Sequence, residues 1–247
     1  MAKIAARNAR ILVGGRDVSC RSNNVTLTMS AEAPEVTTFC DDNRSRLAGG
    51  IKDVEMSLDG FYDTAASNVD ELYYYGLAAS NLVGLYPNGY TACRVGREFT
   101  GIITSYESTF ATEDAAATAV TFSGSPPLLI TKSLYYGTLS GAGASDLASA
   151  NFTDGSSGSQ YIIVRLLTLT GTTPEFSASV QESSDDASFT TIYAVESASL
   201  PSAGSPFGAS ISLISSASQY RRVAASLSGT SPCATFFVAS GSKVGAE

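Results

Sequence analysis

The feature that most constrains this chain is a period of two in its apolar residues, written in short runs between turn signals. In residues 24–30 (NVTLTMS), Val25, Leu27 and Met29 alternate with Thr26, Thr28 and Ser30. In residues 54–62 (VEMSLDGFY), Val54, Met56 and Leu58 alternate with Glu55, Ser57 and Asp59. Successive side chains of a strand leave on opposite faces, so this spacing gives one face to a core and the other to solvent. Gly14-Gly15 interrupts an earlier apolar run, RILVGGRDVS, as a turn. The spacing changes once. Across SNVDELYYYGLAAS, residues 67–80, Val69, Leu72, Tyr73, Gly76 and Leu77 fall at helical intervals, and Asn68 with Glu71 has the outline of a capping box. A single helix is expected there, with Tyr73 in the core and Tyr74 and Tyr75 flanking it. After the YPNGY turn, EFTGIITSYESTF and AATAVTFSG return to strand-like runs on either side of ATEDAA.

From residue 123 to 160 the chain is rich in Gly and Ser and opens on Pro126-Pro127, which reads as a boundary. Beyond it, YIIVRLLTL, FSASVQES, FTTIYAV, ISLI, YRRVAASL and ATFFVAS are short runs with turns between them and no helical period. This is the pattern of an Ig-like β-sandwich. The expected organisation is mainly β: residues 1–125 as a β-sandwich or half-barrel with one flanking helix, and residues 126–247 as a second β-sandwich, with 126–160 as linker and loops. SSDDASFT, residues 183–190, reads as the tight turn of a hairpin. Alternation sends Arg221 and Arg222 to opposite faces of one strand, with one of them in a local ion pair.

Composition narrows the chemistry. The net charge of −8 opposes a nucleic-acid binder, whose affinity comes from Lys and Arg neutralising phosphates. Neither half carries a basic patch: residues 1–125 hold 10 Lys and Arg against 15 Asp and Glu, and residues 126–247 hold 5 against 8. The chain has no His, which removes the usual general base, the imidazole metal ligand and the Ser-His-Asp and Cys-His arrangements. Cys20, Cys40, Cys93 and Cys233 contain no CxxC pair, so no zinc set forms. A Cys20–Cys40 disulfide is conceivable, but MAKIAARNARILVGG lacks the apolar core of a signal peptide, and small buried thiols in a reducing cytoplasm are the expectation. No apolar run approaches the length of about 18 residues that spans a membrane. No catalytic residue, cofactor or metal is expected.

One stretch stands out in a chain with only 15% charged residues. Asp41-Asp42-Asn43-Arg44-Ser45-Arg46 packs both signs into the connection between two strand-like runs. Its oxygen ligands are followed by two arginines that repel a dication, so a metal loop is disfavoured. A solvated turn is the plain reading. Its rival is a subunit contact, in which Asp41, Asp42, Arg44 and Arg46 pair with matching groups of another copy.

The order ILVGGRDVS, then EVTTF, the charged loop and GGIKDVEMSLDGFYD, then EFTGIITSYESTFATEDAAATAVTFSG, resembles the major tail tube proteins of long-tailed, siphovirus-like bacteriophages over about the first 130 residues. LTLTGTTPEFSASVQESSDDASFTTI and YRRVAASLSGTSPCATFFVA resemble the β-rich C-terminal domain that many such tail proteins carry. The resemblance implies a structural, non-enzymatic virion protein: six copies closing into a ring, and rings stacking into a hollow tube through which the genome leaves. It further implies assembly in the host bacterial cytoplasm and location in the virion tail. The implied partners are other copies, tail proteins such as the tape measure and terminator, and DNA passing through the lumen without sequence-specific binding. Two other classes remain: another virion β-sandwich, such as a head decoration or fibre, and a cell-surface or carbohydrate-binding module, which the absence of Trp disfavours. A glycosidase-like pair of carboxylates has no signature outside turn positions.

Overall fold

The computed structural model describes residues 6–38, 43, 44, 46, 52–62, 69–112, 115–147, 150–151, 158–197, 208–216 and 220–243. The fold is mainly β, with one short α-helix among the described residues. In chain order the elements are β1 (Arg10–Val13), β2 (Arg16–Asp17), β3 (Ser22–Ala31), β4 (Lys52–Phe61), α1 (Val69–Tyr75), β5 (Ser80–Tyr86), β6 (Val95–Thr109) and β7 (Ala117–Ser140). They continue with β8 (Gly143–Asp146), β9 (Ala150–Asn151), β10 (Gly158–Ser183), β11 (Thr190–Glu196), β12 (Gly208–Ser216) and β13 (Tyr220–Lys243).

The chain divides into two compact units, and they do not follow the expected division at residue 126. The first unit comprises Met1–Ser19, Leu82–Phe99 and Pro127–Glu247, and the second comprises Cys20–Asn81 and Thr100–Pro126. The expected linker at 126–160 is corrected as well: β7 runs through both prolines to Ser140. The prolines nonetheless mark a real transition. β7 pairs with β4 through Ala117–Ser123 and with β13 through Leu129–Ser140, and Pro126-Pro127 lies between these two registers. A residue without an N–H is tolerated where a strand changes partner.

The first unit is built on a long antiparallel ribbon of β10 and β13, paired from Gln160↔Ser242 to Ser183↔Tyr220. Its register shifts near the middle, between Leu166 and Glu175. There Gly171 and Gly229 take φ of 130° and 107°. A Cβ on Gly229 would sit 2.6 Å from the Thr173 carbonyl oxygen, so the crossing of the two bent strands requires a residue without one. The first half of β10 carries β12 on its other edge and the second half carries β11. The bend brings the two halves onto one core: Ile162, Val164 and Leu166 from the first and Phe176, Ala178 and Val180 from the second bury together. The Phe176 and Phe236 rings meet across it at 4.9 Å.

The opposite face of the same strands is covered too. Ile163, Leu167, Phe237 and Ala239 pack with Leu12, Tyr86 and Tyr90. The run YIIVRLLTL therefore shows no alternation, because residues 162–167 are buried on both faces of the strand. The N-terminal strands complete the C-terminal core, although about 150 residues of sequence separate Leu12 from Ile163.

In the second unit β4 sits between β3 and the start of β7. Val54, Met56 and Leu58 point inward as their alternation requires. Tyr73 of α1 is 2% exposed and meets the rings of Tyr106 and Phe122 at 6.1 and 6.0 Å. The expected helix is present in shortened form, and its inward tyrosine is the expected one; Asn68 lies outside the described residues. β3 pairs only with β4 among the described residues, so it is an edge strand. Its apolar face is incompletely covered: Val25 and Leu27 are half-buried and Met29 is 49% exposed.

Candidate assembly surface

The predicted charged loop is only partly described. Asp41 and Asp42 lie outside the described residues. Arg44 Nη1 stands 3.9 Å from Glu35 Oε2, with both side chains exposed, and Arg46 makes an antiparallel bridge with Glu35 through the backbone. Glu35 Oε1 also accepts a hydrogen bond from the Thr37 hydroxyl at 3.0 Å. Beyond β3, the single bridge between Glu35 and Arg46 is the pairing the described residues of this loop make. A solvent-exposed pair of this geometry contributes about 0–1 kcal/mol, which leaves Arg44 available to a better partner.

The strongest surface signal is apolar, and the sequence pattern did not reveal it. Met29, Val36, Phe61, Tyr74, Tyr75, Leu77, Ile102 and Phe110, all in the second unit, are large hydrophobic side chains exposed to solvent. Among the described residues of that unit, seven large apolar side chains are buried: Val54, Met56, Leu58, Tyr73, Ile103, Val120 and Phe122. Exposed and buried sets are about equal in size. Tyr74 and Tyr75 are 65% and 77% exposed, with their rings edge to face at 5.4 Å. Leu77 follows, bridged to Ile103 of β6. Phe110 packs edge-on against Tyr62 at 4.9 Å. The Asp70 carboxylate beside Tyr62 raises that hydroxyl's pKa.

Charge is divided as unevenly. The second unit contains thirteen Asp and Glu against four Lys and Arg, net −9, while the first contains ten against eleven, net +1. The near-even split between halves of the sequence concealed this, because the units interleave along the chain.

The first unit holds a polar centre that periodicity also missed. Arg165 and Glu98 form a completely buried ion pair. The Arg165 guanidinium donates to the carbonyl oxygens of Gly14 and, at 2.9 Å, Leu82. The Tyr86 hydroxyl donates to Glu98 Oε1 at 2.8 Å and lies 3.0 Å from Thr131 Oγ1. Burial pushes the Glu98 carboxyl above its ordinary pKa, and Arg165 and Tyr86 oppose that shift. Burial likewise pushes the Tyr86 hydroxyl up. A Cβ on Gly84 would lie 2.5 Å from Glu98 Oε1, so the backbone of β5 closes over the carboxylate. This closed network ties β1, β5, β6 and β10 together, with Arg165 Nε left without a hydrogen-bond partner among the described residues. Its sequence signal was a lone Arg inside YIIVRLLTL, where a charge on a doubly buried strand demands a buried partner.

The remaining expectations can be placed. Arg221 is buried and donates to Ser240 Oγ and Gln160 Oε1, while Arg222 on the other face pairs with Asp146 at 3.2 Å and lies over the Phe189 ring at 4.1 Å. Asp185 accepts hydrogen bonds from the backbone N–H groups of Ala187 and Ser188 and closes the β10–β11 hairpin. These bonds lower its pKa to about 2. Small buried thiols were expected, but Cys20 and Cys93 are exposed and Cys233 half-buried, all three free; Cys40 lies outside the described residues. Alternation places Cys near apolar residues without saying whether that part of a strand is covered. Among the described residues no group of three or more His, Cys, Asp or Glu is placed to hold a metal ion.

No protein-family model and no curated protein matches the chain. Among solved structures it is similar to a chain from the virion of a native gene transfer agent particle, at 16% identity and a TM-score of 0.41 over 52% of this chain and 98% of that one. It is similar to the SPP1 Dit protein, described as a hub adsorption apparatus of phages infecting Gram-positive hosts, at 11% identity and a TM-score of 0.38 over 93% and 98%. It is also similar to the SPP1 tail tube, at 10% identity and a TM-score of 0.40 over 49% and 76%.

Proposed function

We propose that this chain is a structural protein of a phage tail, a tail tube subunit that assembles into six-fold rings stacked into a channel for genome ejection. The observation that carries self-assembly is the second unit: an edge strand, eight exposed large hydrophobic side chains and about as few buried ones. Apolar surface of this kind on a β edge marks a protein interaction site. Rings and stacks satisfy it by repeated head-to-tail contact, in which two different surfaces of each copy match. The six-fold number and the tail context come from the sequence resemblance. The net charge of −9 on the second unit suits a wall past which DNA slides without being held. On this reading the chain works in the virion tail after assembly in the host cytoplasm, next to proteins such as the tape measure and terminator, without enzymatic activity or a cofactor. Asp41, Asp42, Arg44 and Arg46 form a register-setting contact between copies.

Electron microscopy of the purified chain tests this. Six-fold rings or tubes are expected, and monodisperse monomers at high concentration would contradict it. The double variant Arg44→Glu with Arg46→Glu should keep a native circular dichroism spectrum and lose tubes; normal tubes would make the loop a solvated turn.

A further inference from the structure

A cleft of about 680 Å³ in the first unit is absorbed neither by the buried ion pair nor by the apolar surface. Arg10, Arg94, Asn8, Asn88, Tyr90 and Tyr136 contribute to its lining, and among the described residues no Asp or Glu does. The Arg10 guanidinium lies 5.7 Å from the centroid of the Tyr90 ring, which stacks in turn on Tyr136 at 4.5 Å. Neither Arg10 nor Arg94 has a carboxylate partner among the described residues. Asp17 lies beside the Tyr90 hydroxyl and is engaged by the Ser19 hydroxyl and backbone N–H, from which it accepts hydrogen bonds. Two guanidiniums, two side-chain amides and an aromatic floor make a receptor for carboxylates: planar forks take the anion, and the rings limit its hydration.

We infer that this cleft binds carboxylates on the second unit of a neighbouring copy, so that each copy presents the receptor on one unit and the ligand on the other. This rests on the self-assembly reading above. Charge complementarity selects the occupant. The chain's whole net negative charge lies on the second unit, where Asp53, Glu55 and Glu107 are exposed, while the unit carrying the cleft is nearly neutral. Opposed charges on two surfaces of one chain favour head-to-tail association and oppose like-to-like contact.

The test uses the full chain. A mixture of unlabelled and nitrogen-15-labelled protein bearing Arg94→Lys is assembled and treated with a zero-length carbodiimide, and the new amine's crosslinks are read by mass spectrometry. Links between differently labelled chains, ending on Asp or Glu within residues 20–81 or 100–126, are expected. Links confined to one chain, links only to acids of the first unit, or none would overturn the proposal. In parallel, Arg10→Glu with Arg94→Glu should weaken self-association at least tenfold in sedimentation velocity, with thermal unfolding unchanged. Should that variant fail to fold, Arg10→Gln with Arg94→Gln is read in the same way. Unchanged assembly overturns the cleft as receptor and leaves self-assembly standing, whereas a wild-type chain that never associates overturns both. Single-stranded oligonucleotide retained by the wild type and lost in the variant, with assembly intact, would make the cleft a nucleic-acid site and overturn the proposal as well.

Discussion

The two units of this protein use the same β chemistry to opposite ends. The first buries the start of β10 and the end of β13 on both faces, closes an ion pair between Glu98 and Arg165 without access to solvent, and exposes only Val95, Ile130, Tyr136 and Leu213 among its large described hydrophobics. Among the described residues, the second leaves β3 paired on one side alone and exposes about as many large apolar side chains as it buries. Burying a large apolar side chain is worth about 1.5–3 kcal/mol, so the first unit accounts for most of the stability of the isolated chain. The second is completed by contacts that one copy does not contain. The difference separates a scaffold, whose large apolar residues are mostly covered internally, from an assembly surface, whose large apolar residues are not.

The largest way to break this comparison is to cut the chain where the sequence places a boundary. A truncated chain ending at residue 125 keeps β1 and β5 but loses Ile163, Leu167 and Phe237, on which Leu12, Tyr86 and Tyr90 pack. It should show no cooperative unfolding transition in urea. A sharp, native-like transition would mean that the N-terminal strands do not depend on the C-terminal ribbon.

Next in size is the buried pair. Arg165→Ala leaves Glu98 enclosed without its cation and should cost about 3–5 kcal/mol, read as a lowered urea midpoint. Arg165→Met combined with Glu98→Leu removes both charges and should recover most of that loss, because apolar replacement of a whole buried pair is close to neutral. A double variant as damaged as the single one would show that the hydrogen bonds to Gly14 and Leu82, and not charge matching, hold the strands.

The same logic predicts a small effect on stability and a large one on association in the second unit. Tyr74→Ser with Tyr75→Ser should change the monomer by only about 0.5 kcal/mol per site, since both rings are exposed. Assembly should fall sharply in light scattering. Smallest is the Asp185 turn. Its folded pKa of about 2 lies below the ordinary 3.8, so its stabilisation is fully present above about 3.8 and disappears as pH falls through about 2. Between these limits the wild type should lose more thermal stability than Asp185→Ala, and parallel curves would contradict the turn assignment.

What the sequence disclosed was local. Alternation identified β3 and β4, helical spacing identified α1 and the inward Tyr73, and Asp185-Asp186 identified a hairpin, since each is decided within a few residues. Alternation assigns Val25, Leu27 and Met29 to one face but does not say whether anything covers that face, and here Met29 is half-exposed. Pro126-Pro127 was visible as punctuation, but a missing N–H is the same signal whether a strand ends or changes partner. The pairing of Glu98 with Arg165 joins residues 67 apart and follows only from the interleaving of the two units. The arginine inside an apolar run was the one local clue to it. For the charged loop, the structure supplies an intrachain neighbour, Glu35, that the spacing of the two arginines did not foretell.

Hydrogen exchange of the full-length chain, compared between dilute monomer and concentrated assembly, tests most directly whether the second unit is completed by other copies. Backbone amides of β3 and α1 should gain at least tenfold protection on assembly, while those of β10 and β13, already buried in the monomer, should not change. Equal protection of β3 and α1 in both states, or a gain confined to β10 and β13, would contradict the division into scaffold and assembly surface.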